Sequence, residues 1–142
     1  FCFSTEDHPH RVHNLPGAPK EPSFPLYAGY IEINSHRSRH SFENSSRHHV
    51  FYVLCEAIRA DPLDSPLVVW LNGGPGASSL LGFALEHGPY LLNTDGTLRY
   101  NDLSWNQYSN VLYIETPDYV GFSRANEPLR FTTDSDTAEL NA

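Results

Sequence analysis

The apolar positions of this chain come in short runs broken by turn residues, and each run predicts one element. Residues 26–34, LYAGYIEIN, alternate: Tyr30, Glu32 and Asn34 are set against Ile31 and Ile33, the period of a strand. Residues 35–49 are polar and charged and predict a long loop, and residues 50–57 return as a second strand to give an antiparallel hairpin. After a turn from Asp61-Pro62 to Ser65-Pro66, residues 67–71 form an unbroken apolar run, β-branched at Val68 and Val69. That run reads as a strand buried on both faces. Residues 110–115, NVLYIE, read as another buried strand and stop at Thr116-Pro117, where a missing N–H ends the ladder. Tyr90, Leu91 and Leu92 make a strand stub before a tight turn at Asp95-Gly96, and residues 100–105 read as loop. Residues 1–25, rich in proline and histidine, predict an extended leader lying over a core. Residues 26–142 predict part of a single domain, with N-cap residues Thr132, Thr133 and Asp134 opening a last helix.

The run at residues 67–71 opens into Asn72-Gly73-Gly74-Pro75-Gly76, a composition through which neither helix nor ladder continues. Ser78 and Ser79 then precede Leu80, Leu81, Phe83, Ala84 and Leu85, the spacing of a helix with a serine near its N-cap. A strand, a glycine turn and a helix start leave backbone N–H groups aimed at one point. Such a nest binds a phosphate, a carboxylate or the oxyanion of a tetrahedral intermediate. The other reading is a turn that needs glycine only for its dihedrals. Nucleotide motifs fail on spacing: the glycines do not make GxGxxG, and no Gly-Lys-Ser/Thr follows.

WLNGGPG followed by Ser78, Ser79 and Leu80, then Glu86-His87-Gly88-Pro89, resembles the serine carboxypeptidase family of α/β-hydrolases. The likeness runs on through TDGTLRYNDLSWNQYSNVLYIETP and DYVGFS, starts at LPG with a following Tyr-Ala-Gly-Tyr, and covers residues 15–142. It implies an α/β fold, the N-terminal part of an α/β-hydrolase in which an antiparallel hairpin leads into a central, mostly parallel sheet with flanking helices. It implies that the Gly74 backbone N–H is one of two oxyanion donors. Trp70, Asn72, Gly73 and Glu86 match the positions that hold a substrate's C-terminal carboxylate: Asn72 through its side-chain amide, Gly73 through its N–H, Trp70 by lining the site. Glu86 would repel that carboxylate unless a proton is shared, which favours acidic pH for peptide cleavage. Without the family, Glu86 reads as a solvated residue at a helix C-terminus and Trp70 as core.

Gly-x-Ser-x-Gly occurs nowhere in the chain. By the family's order the triad Ser, Asp and His come after Ala142, so this stretch alone is expected to be inactive. No metal or organic cofactor is implied. Two positions depart from the family: Ala77, where a cysteine usually follows NGGPG, and Asp118-Tyr119, where small residues usually precede Val-Gly-Phe-Ser.

The formal charge of −8 argues against nucleic acid and anionic membranes as partners, and no apolar run approaches the ~20 residues of a membrane span. With no methionine at all, the chain reads as a processed or excised piece. Asn44-Ser45-Ser46 is a glycosylation sequon suited to a surface loop; the resemblance implies a secreted, lysosomal or vacuolar protein. Cys2 and Cys55 permit one disulfide, although Cys55 in its apolar run reads as a buried small hydrophobe. His8, His10 and His13, or His36, His40, His48 and His49, invite a metal site, but no cysteine or carboxylate spacing accompanies them and they read as loop histidines. Glu115 reads as structural. The leading expectation is a serine carboxypeptidase acting on peptides with a free C-terminal carboxylate. An acyltransferase on the same scaffold and a truncated, non-catalytic homologue are the alternatives.

Overall fold

The computed structural model describes residues 8–20, 22–36, 45–74 and 76–126. Its strands are β1 (Leu26–His36), β2 (Ser45–Cys55), β3 (Leu67–Trp70), β4 (Tyr90–Leu92), β5 (Leu98–Tyr100), β6 (Asn110–Ile114) and β7 (Arg124–Ala125). β1 and β2 form the expected antiparallel hairpin, in register from Leu26 opposite Cys55 to His36 opposite Ser45. The ladder runs further into the polar segment than its composition suggests. An antiparallel pair can carry polar side chains on a solvated face, and Arg47 reaches Glu32 across the strands at 3.3 Å.

β6 lies between the hairpin and β3, antiparallel to β2 and parallel to β3, so the order is β1-β2-β6-β3. β7 continues the edge of β2 beyond β6, with Ala125 opposite His48. β4 and β5 make a separate antiparallel pair, closed by the Asn93 to Thr97 turn, in which Gly96 takes φ 83°. β5 occupies residues left without a strand assignment in the sequence reading. Among the described residues the sheet is therefore mixed rather than mostly parallel, with β3 and β6 as its one parallel pair.

A second correction concerns burial. Val111 and Tyr113 of β6 are buried, as expected of a central strand. β3 alternates instead: Val68 and Trp70 pack on the core, while Leu67 and Val69 are 58% and 51% exposed. β3 is last in the strand order, and the described elements cover one of its faces only. The core unites Phe24, Leu26, Val53, Cys55, Phe83, Tyr90, Val111 and Tyr113. Cys55 is a free, fully buried thiol whose pKa burial pushes far up, in keeping with a small hydrophobe.

Residues from 8 to 20 lie against this core. Arg11 bridges Tyr27, the Val12 N–H donates to Leu26 and the Ala28 N–H to His10, while Val12, Leu15 and Ala18 pack inward. Cys2, Asn44, His40 and the expected helix after Asp134 lie outside the described residues.

Candidate functional site

Three short loops meet where β3 and β6 end. Trp70, the last residue of β3, donates from its indole N–H to Asn72 Oδ1 at 2.7 Å. An indole offers only a donor, so this bond fixes which end of the Asn72 amide faces Trp70 and turns the NH₂ group away. The Asn72 backbone N–H is held by Ser79 Oγ at 3.2 Å. Gly74 then takes φ 136° and Gly76 φ 107°, conformations that side chains disfavour, and the Ala77 N–H closes back on the Gly73 carbonyl at 3.2 Å. Both glycine residues 73 and 74 are exposed, and among the described residues neither N–H donates to any acceptor.

The helix that follows is short. Ahead of it Ser78 Oγ accepts from the Leu80 N–H at 3.2 Å, while the N-cap position itself, Leu81, makes no side-chain cap bond. Over Gly82–Glu86 it widens into a π turn, in which the His87 and Gly88 N–H groups share the Gly82 carbonyl. The widened turn delivers His87 into an aromatic cluster. Its ring lies 4.3 Å from Trp70, 4.1 Å from Trp105 and 5.6 Å from Tyr113, centre to centre. Gly82 is what lets the turn approach so closely, since a Cβ there would fall 2.5 Å from Trp70 Nε1. Burial lowers the His87 pKa, with Glu86 pulling it part of the way back. Burial likewise pushes the Tyr113 phenol far up.

Glu86 is half-exposed, its Oε2 3.8 Å from His87 Nδ1. It makes no hydrogen bond to Asn72 or Gly73; contact with them passes through the rings of His87 and Trp70. The structure thus gathers Trp70, Asn72, Gly73 and Gly74 on one turn and sets Glu86 beside it by way of His87.

The third loop carries Glu115, which the sequence reads as structural. Glu115, just past β6, is 1% exposed; Oε1 accepts from Ser78 Oγ at 2.6 Å and the Leu80 N–H at 3.3 Å, Oε2 from the Phe122 N–H at 3.2 Å. A signal was present, because a carboxylate ending a buried strand must find donors. His87 and Trp105 carried no such signal. The divergent Asp118 turns toward β2, where its carboxylate meets His48 Nδ1 at 2.6 Å, and Tyr119 sits at φ 67°. Among the described residues no group of three or more His, Cys, Asp or Glu could hold a metal ion, and no helix is long and apolar enough to cross a membrane.

A sequence profile of the serine carboxypeptidase family matches residues 16–142. The chain belongs to that family. It is 45% identical over 128 residues to the lysosomal protective protein of Mus musculus, covering 89% of this chain and 24% of that protein. It is 42% identical over 128 residues to serine carboxypeptidase-like 26 of Arabidopsis thaliana, covering 88% and 26%. It is also 41% identical over 118 residues to P-(S)-hydroxymandelonitrile lyase of Sorghum bicolor, covering 82% and 21%. Among solved structures it resembles a prohormone-processing carboxypeptidase of Saccharomyces cerevisiae, with TM-score 0.58 and 33% identity over 70% of this chain and 20% of that one. The fold is accordingly that of an α/β-hydrolase of the carboxypeptidase type, and the chain spans about a quarter of the length of the curated relatives it matches.

Proposed function

We propose that this chain is the N-terminal part of a serine-type carboxypeptidase, the whole protein removing C-terminal residues from peptides through an acyl-enzyme. Within that reading the Gly74 N–H is one oxyanion donor. The Gly73 N–H, the Asn72 amide and Trp70 take the substrate's terminal carboxylate, with Glu86 completing the site. The observation that carries it is the pair of N–H groups at Gly73 and Gly74 that, among the described residues, donate to no acceptor, on a turn that glycine conformations hold open. Two adjacent exposed N–H groups on one glycine turn form a nest that suits a negatively charged guest. The triad residues would be supplied by sequence beyond this stretch, since no nucleophile elbow occurs in it.

A secretory destination and glycosylation at Asn44 go with this reading, as does a peptide partner with a free C-terminal carboxylate; the lysosomal relative supports the first. An acyltransferase on the same scaffold is the second reading; the lyase relative is named for chemistry other than peptide cleavage, which favours neither acyl acceptor. Assay of the full-length protein on a blocked dipeptide and on an activated ester separates the two. Turnover of both supports the peptidase, and turnover of the ester alone counts against it.

A further inference from the structure

We propose that Glu115 is a positioning residue that sets the glycine turn against the end of β6; this rests on reading the Gly73 and Gly74 amides as substrate-facing. The backbone of Glu115 is itself fixed, its N–H donating to the Phe51 carbonyl at 3.0 Å and its carbonyl accepting from Ser123 Oγ at 2.6 Å. From that anchor the carboxylate reaches two loops at once. On one side it holds Ser78 and Leu80, the start of the helical turn; on the other it holds the Phe122 N–H. Ser78 lies two residues beyond Gly76, and the Ala77 N–H is tied to Gly73, so a shift at Ser78 is passed directly to the Gly73 and Gly74 amides.

The chemistry requires a carboxylate in particular. All three partners are donors, and no Lys, Arg or His among the described residues pairs with the group. A glutamine would satisfy one loop with its oxygen and present N–H groups to the donor of the other. Gly121 shows how closely the site is built: a Cβ there would coincide with Glu115 Oε2, at a φ of 53° that side chains also disfavour. Oxyanion and carboxylate donors act only when held to within about 0.5 Å, so a hub linking the two loops bears directly on rate.

The test uses the full-length protein and the variants Glu115→Gln, Gly121→Ala and Ser78→Ala, which attack the same hub from three sides. Backbone hydrogen exchange over residues 72–80 and 121–123 is expected to quicken about tenfold or more in each, with β2 and β6 unchanged. On the activated ester, kcat is expected to fall about ten- to a hundredfold with KM little altered, the pattern of a misplaced oxyanion donor. Faster exchange spread evenly over β2 and β6 would overturn the proposal, as would a kcat per folded molecule within about twofold of wild type. Ser78→Ala removes one hydroxyl and keeps the test usable should Glu115→Gln fail to fold. If the wild-type protein turns over neither ester nor peptide, the carboxypeptidase reading falls, and the exchange pattern alone decides the role of Glu115.

Discussion

His87 packs against two indole rings that also touch each other, with its Nε2 buried and, among the described residues, without a hydrogen-bond partner, and this makes it a liability in acid. Its pKa in the folded chain is lowered from 6.5, first by burial. Stability from the neutral ring is therefore fully present above about pH 6.5 and is lost as the pH falls through the folded value. The urea midpoint of the full-length protein should drop between about pH 7.5 and about pH 5 by more in wild type than in His87→Leu; equal drops would show that the ring titrates freely. Gly82→Ala should cost about 1–3 kcal/mol, because its Cβ would meet Trp70 and His87, and urea unfolding reads this directly. The glycine turn after Trp70 was legible in the sequence because its residue types limit what a turn can do, whereas roles for Trp70, Asn72 and Glu86 came only with the family resemblance. His87 was not, and Glu115 showed only as structural, because what they touch depends on how β3 and β6 align.

Among the elements, β6 carries the sheet. It is the strand paired on both sides along its length, and Val111 and Tyr113 lie in the core. Val111→Ala should cost about 2 kcal/mol or more, whereas Leu103→Ala, on a side chain 88% exposed, should stay within about 0.5 kcal/mol. Paired urea titrations of the full-length protein check this contrast. Apolar runs and turn residues revealed that β1, β2, β3, β4 and β6 exist. They did not reveal β5, since Leu98-Arg99-Tyr100 has too few apolar positions to show a period. Strand direction was equally hidden, because a run of apolar residues reads the same in a parallel and an antiparallel sheet. The π turn also escaped, since the apolar spacing of residues 80–85 reads the same for an α turn as for a wider one.

At the scale of the molecule, the described face of β3 shows Leu67, Val69 and Leu71 to solvent, and Leu81 and Leu85 lie exposed on the helical turn that follows. Apolar side chains along an edge strand invite pairing with other chains. The 142-residue chain on its own should therefore elute from gel filtration as associated species despite a net charge of −8; a monomer with a cooperative unfolding transition would refute this. On the proposed reading, residues 70–74, with Glu86, receive the free carboxylate of a peptide. The most direct measurement is kcat/KM of the full-length protein on a blocked dipeptide against its C-terminal amide, in wild type and in Asn72→Ala. A preference for the free acid of about ten- to a hundredfold, the worth of a charged hydrogen bond, is expected, collapsing in the variant. Equal rates on acid and amide, or a preference that survives Asn72→Ala unchanged, would contradict it.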